Sequence, residues 1–186
     1  MGAGPYGPTI YAENHEGLLI SGNNLFPRGR SLVELTGCNR SSVTANRLHG
    51  FFPGMVRLLN GCKENLVSAN HVRRMAETFA PFVGVSNGLD DLFGVLHVRG
   101  DNNLVSSNLF AYDVPTDRIT PSGARPTMVL VASGQGNVVA TNHVVSNVAS
   151  QHVVVDGSTT GTKVLDSGAQ SEITSYTTNV AIRPTP

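Results

Sequence analysis

Two carboxylates and an imidazole, Glu13, His15 and Glu16, fall within four residues at the end of a short apolar run near the start of the chain. Such a group can move protons. One carboxyl donates to a departing oxygen while another works ionised, and their surroundings hold the two pKa values apart. Glu34 is a further candidate, set inside Leu32-Val33-Glu34-Leu35, where a charge without a partner is costly. Asp90-Asp91 offer an acid and a nucleophile, a cation site, or a solvated turn after Asn87-Gly88. Arg73-Arg74 could grip a polar substrate or pair with Glu77. His71 and His143 each stand directly after an asparagine of one recurring motif and so decorate one corner of the fold. No carboxylate or third histidine shares their position, which argues against a metal there. Partly buried carboxylates are what sugar chemistry requires.

A repeat positions these groups. Ser21-Gly22-Asn23, Thr44-Ala45-Asn46, Ser68-Ala69-Asn70, Ser106-Ser107-Asn108 and Ala140-Thr141-Asn142 are five versions of one small-small-Asn signature, with asparagine intervals of 23, 24, 38 and 34. A period of this size marks a solenoid, in which each repeat buries its apolar side by stacking on its neighbours. Ile10–Ala12, Leu32–Leu35, Val56–Leu59, Val95–Val98 and Met128–Val131 form a second set of apolar runs at matching offsets. They are short, rich in Val, Leu and Ile, and bounded by Gly, Asn and Ser, which is the strand pattern. Two or three such strands per turn of about 23 residues describe an all-β, parallel β-helix. The asparagines then form a ladder along its axis. Cys38 and Cys62 share one offset and read as an internal stack of small side chains, with a disulfide as the minor alternative.

Counting back from the asparagines puts Glu34 in line with Leu58, Leu96 and Leu130, facing inward, with Arg57 and His97 on the other parity. An inward Glu34 requires an arginine such as Arg28 or Arg30, or a face covered by another subunit. Two insertions break the spacing, at about 73–94 and 112–126, and loops on one face of a solenoid are a usual place for binding and catalysis. The chain reads as one β-helix domain over residues 1–186. A strand already running by Thr9-Ile10, with no cap before it, reads as the C-terminal part of a longer protein.

Thirteen basic and thirteen acidic residues leave no net charge, so a nucleic-acid or anionic-membrane partner has no electrostatic support. No apolar run is long enough to span a bilayer as a helix, and the first residues do not form a signal peptide.

Several stretches resemble the inulin fructotransferase family, the difructose-anhydride-forming enzymes of glycoside hydrolase family 91. They are Gly4-Pro5-Tyr6-Gly7-Pro8-Thr9-Ile10-Tyr11-Ala12-Glu13-Asn14, Phe26-Pro27-Arg28-Gly29-Arg30-Ser31, Asn87-Gly88-Leu89-Asp90-Asp91-Leu92, Asp101-Asn102-Asn103, Gln151-His152-Val153-Val154 and Ala181-Ile182-Arg183-Pro184-Thr185-Pro186. The resemblance implies a right-handed parallel β-helix, a secreted homotrimer with active sites at subunit contacts, and an exo-acting reaction on inulin without metal or cofactor. It also implies that a hydroxyl of the penultimate fructose attacks the anomeric carbon of the terminal one, with no water added, so that the enzyme counts as a lyase. The family uses an aspartate and a glutamate close in sequence. The best match for the glutamate is Glu13; its aspartate partner falls where this chain has only Met1-Gly2-Ala3-Gly4, and Asp90 and Asp91 are the next carboxylates. Candidate sugar contacts are His71, Arg74, Glu77 and Glu34. Two other readings compete: a non-enzymatic β-helix that binds glycans on its flat sheets, and a pectate-lyase-like enzyme, which needs clustered aspartates for calcium.

Overall fold

The computed structural model describes residues 7–26, 31–50, 53–74, 93–113, 127–147, 151–165 and 180–183. Among the described residues, five successive coils follow one itinerary through three parallel sheets, and later strands extend the first two. The first sheet stacks Ile10–Glu13, Val33–Thr36, Val56–Leu58, Leu96–Arg99, Thr127–Ser133, Gln151–Asp156 and Val180–Arg183 in chain order. The second stacks Leu19–Ser21, Ser42–Thr44, Leu66–Ser68, Leu104–Ser106, Val138–Ala140 and Lys163–Leu165. The third stacks Asn24–Leu25, Arg47–Gly50, His71–Arg74, Leu109–Tyr112 and His143–Ser146. This is a parallel β-helix. No helix among the described residues is long and apolar enough to cross a membrane.

Strand periodicity sends alternate side chains inward, and parallel stacking sets like residues over like. Val33, Val56, Leu96, Val129 and Val153 make one interior column, and Leu35, Leu58, Val98 and Val131 a second. Val43, Val67, Val105 and Val139 line the second sheet, and Leu48, Val72, Phe110 and Val144 the third. All are essentially inaccessible to solvent. Burying each of these side chains stabilises the solenoid by about 1.5–3 kcal/mol, and none has a partner before the next coil forms.

The predicted asparagine ladder is present. Asn46 accepts at Oδ1 from both the backbone N–H and the side-chain amide of Asn23, and the same pair of bonds runs from Asn46 to Asn70, Asn70 to Asn108 and Asn108 to Asn142. The residue before each buried rung, Ala45, Ala69, Ser107 or Thr141, sits at a φ of 52° to 56°. A left-handed conformation is costly for residues with a Cβ. The buried amide bonds at the same corner offset it. A second ladder, Asn65, Asn103 and Asn137 with Ser41 at its end, runs parallel to the first at the opposite end of the second sheet.

Cys38 and Cys62 are buried free thiols, and the neighbouring residues Asn39 and Lys63 pair across adjacent coils. The Cys62 thiol donates to the Leu35 carbonyl at 3.3 Å, and burial pushes its pKa up. One coil further on the same place is Gly100, at φ 112°, where any Cβ would overlap the Cys62 carbonyl. The small-residue stack therefore continues in glycine, Gly100 and then Gly134, whose own Cβ would overlap the Gly100 carbonyl.

Two expectations need correction. Arg73 and Arg74 belong to a strand of the third sheet and Tyr112 ends another, so the insertions are shorter than the spacing implied. The parity of Glu34 is also reversed. Its partners across the sheet are Tyr11, Arg57 and, one strand on, His97 and then Leu130. Counting from the asparagines fails because Leu59-Asn60-Gly61-Cys62 holds one more residue than Thr36-Gly37-Cys38, and a register shift follows Val98.

Candidate functional site

The outward row of the first sheet runs Tyr11, Glu34, Arg57, His97, Leu130, Val154. Its first half is polar because the chain supplies its own counter-charges. Arg57 Nη1 donates to Glu34 Oε2 at 3.3 Å, both side chains being mostly buried, and Ser31 Oγ reaches the same oxygen at 3.3 Å. Among the described residues the partner of Glu34 is thus Arg57, so no second subunit is needed to neutralise it. Burying such a pair is weakly stabilising at best, but removing one member strands a charge.

Arg57 also lies over the Phe93 ring, 4.4 Å from its centroid. Gly54 makes room for this, since a Cβ there would strike the Arg57 guanidinium. His97 packs against the same ring at 5.7 Å. Its Nδ1 faces the Phe93 carbonyl at 3.1 Å, and its Nε2 takes the Arg99 Nε proton at 3.0 Å. A carbonyl only accepts and a guanidinium only donates, so the imidazole is neutral with its proton on Nδ1. Burial above all, with Arg99 and Arg57 adding to it, pulls its pKa down to about 4.

At the exposed end of the face, the Tyr11 hydroxyl donates to Glu13 Oε2 at 2.9 Å, which raises the phenol's pKa. Tyr11 is half exposed and Glu13 is exposed. An aromatic ring, an exposed carboxylate and a partly buried Glu34–Arg57 pair therefore share the outward face of one sheet. Sugars are recognised by this combination of stacking surface and charged hydrogen-bonding groups.

The remaining predicted residues are scattered. Glu16 is held by Arg40, which also reaches Glu64 at 3.5 Å, and serves a charged corner ladder. His71 stands on the outward face of the third sheet, its ring 5.9 Å from His49, beside Arg47 and Arg73. It belongs to a different face from Glu13. Arg74 is buried with its guanidinium 4.7 Å over the Tyr112 ring, so it does not offer itself to a sugar. Glu77, Asp90, Asp91, Arg28 and Arg30 lie outside the described residues. Among the described residues no three His, Cys, Asp or Glu side chains converge to hold a metal. Sequence reasoning missed Phe93, which no spacing distinguishes from the rest of its insertion.

Residues 69–186 match the sequence family described as the beta helix repeat of inulin fructotransferase. A DFA-I-forming inulin fructotransferase of Arthrobacter globiformis is 48% identical over 180 residues, which are 97% of this chain and 44% of that protein. The crystal structure of the DFA-IIIase of Arthrobacter chlorophenolicus A6 in complex with GF2 superposes with a TM-score of 0.80 at 48% identity, covering 100% of this chain and 46% of that one. The C387A mutant of the same enzyme in complex with DFA-III gives a TM-score of 0.80 at 44% identity, covering 100% of this chain and 48% of that one. The chain thus spans about half the length of these relatives.

Proposed function

Since the chain belongs to the inulin fructotransferase family, we propose that it forms part of an exo-acting enzyme that releases difructose anhydride from inulin by intramolecular fructosyl transfer. The observation that carries the reading is the outward face of the first sheet, where Tyr11, Glu13, Glu34 and Arg57 offer a stacking ring and charged groups together. Glu13 is the carboxylate that handles the proton, and Asp90 or Asp91 supplies its partner. On the same reading the enzyme is a secreted homotrimer with its sites at subunit contacts.

Bond counting reverses one expectation about the chemistry. In a β-2,1 chain the terminal anomeric carbon is already tied to O1 of the penultimate fructose. A penultimate hydroxyl attacking there rearranges the linkage and releases nothing. The bond that must break joins the penultimate anomeric carbon to O1 of the third residue, so the nucleophile is a hydroxyl of the terminal fructose. Its proton passes to a base, the departing O1 takes one from an acid, and no water is consumed.

The likeness to DFA-IIIases, as close as that to the fructotransferase, favours a second reading in which the difructose anhydride is the substrate. Incubating the complete polypeptide with inulin and separately with DFA-III, followed by chromatography and a reducing-end assay, distinguishes them. The fructotransferase reading expects a nonreducing difructose from inulin and no gain in reducing ends. Consumption of DFA-III alone, with new reducing ends, supports the second reading. Unsaturated uronides from polygalacturonate and no product from either fructan would overturn both.

A further inference from the structure

We propose that Arg57 and His97 are positioning residues which together seat Phe93 on the outward face of the first sheet and so fix the end of the insertion that carries Asp90 and Asp91. Those aspartates stand two and three residues before Phe93 in the chain. Phe93 is held on three sides. Its ring lies under the Arg57 guanidinium at 4.4 Å, its carbonyl takes the His97 Nδ1 proton at 3.1 Å, and its ring meets the imidazole at 5.7 Å. The next residue is held as well, since Gly94 O accepts the Gly54 N–H at 2.6 Å. Arg57 is in turn fixed by Glu34, and His97 by Arg99. A cation over a ring, two hydrogen bonds to neighbouring backbone carbonyls and a glycine that admits the guanidinium exceed what packing one phenylalanine requires.

The role of the aspartates in sugar chemistry rests on the function proposed above, but the seating of Phe93 does not. Among the described residues, the groups facing His97 are Arg99 on its own strand, Arg57 on the strand before, Glu34 beyond Arg57, the Phe93 carbonyl, and neutral Leu130 on the strand after. Protonation turns Nε2 from an acceptor into a donor facing Arg99. Opening the seat releases the imidazole to its ordinary pKa near 6.5 and so takes up a proton, which makes the seat weaken progressively as the pH falls from about 6.5 and level off below about 4.

Exchange of the Gly54 amide, followed by NMR, reports the seat directly. His97→Phe keeps the aromatic volume and Arg57→Met keeps the stem. Each is expected to speed Gly54 exchange about tenfold or more while the Val67 and Val105 amides of the second sheet keep their rates. Arg57→Lys, which keeps the cation, should stay nearer the parent. The parent should lose Gly54 protection progressively between about pH 6.5 and pH 4, a trend absent from His97→Phe. In the complete enzyme both variants should lower kcat on inulin more than they raise KM. Unchanged Gly54 exchange, equal loosening of the second sheet, or no difference in pH dependence between the parent and His97→Phe would overturn the proposal. A parent that makes no difructose anhydride defeats the functional reading alone, because the exchange result stands without it.

Discussion

Glu13→Gln is expected to lower inulin turnover by the complete enzyme about a thousandfold, the usual range for removing a group that transfers a proton in the transition state. The substitution keeps shape and hydrogen-bonding capacity, so KM should change little and the loss should fall on kcat. Glu13 suits this test because its only described side-chain partner is the Tyr11 hydroxyl and it stays exposed at the sheet face. A second readout is independent of activity. The Tyr11 phenol has its pKa raised, chiefly by the bond to Glu13, so in Glu13→Gln its ultraviolet titration should move back toward the ordinary tyrosine range. Turnover within a few fold of the parent would remove Glu13 from the chemistry, and the same substitution logic would pass to Asp90 and Asp91.

Asn70→Ala should destabilise the solenoid by about 3–5 kcal/mol, a large share of the stability of a domain. Asn70 is fully enclosed. Its Oδ1 accepts two protons from Asn46 at 3.0 Å, and its Nδ2 donates to Val43 O at 2.8 Å and to Asn108 Oδ1 at 2.9 Å. Alanine leaves those groups buried without a partner, at about 1–3 kcal/mol for each one that water cannot reach. Asn23 at the partly exposed end of the same ladder gives the control. Asn23→Ala strands less, and should cost about 1 kcal/mol. Urea unfolding of the three proteins checks this. Equal midpoints for Asn70→Ala and Asn23→Ala would mean that the ladder is decoration rather than support.

The fold was legible because a solenoid writes its architecture in sequence as a period. Asn23, Asn46, Asn70, Asn108 and Asn142 gave both the number of coils they span and the corner at which they stack, and Cys38 over Cys62 confirmed the register. The second ladder was equally readable, since Asn65, Asn103 and Asn137 each stand five residues before a rung of the first. It was overlooked because Ser41 and Leu18 fill that place in the first two coils. Facing was harder. One extra residue at Asn60-Gly61 is invisible to a count from the asparagines, yet it turns Glu34 from the core to the surface. The network around Phe93 was beyond the sequence, because stacking of Arg57 on a ring 36 positions away depends on Gly54 lacking a Cβ. The split between Glu13 and His71 likewise needed the three sheets, which place them on different faces.

The measurement that bears most directly on the account is a map of amide chemical-shift changes when an inulin-type trisaccharide is titrated into the protein. If the outward face of the first sheet is the fructan site, saturable changes should gather at Tyr11, Glu13, Glu34 and Arg57, spread to Phe93 and Gly94, and spare the second and third sheets. Changes confined to Ser42, Thr44 and Ser68 on the second sheet, or to Arg47, His49 and His71 on the third, would contradict it.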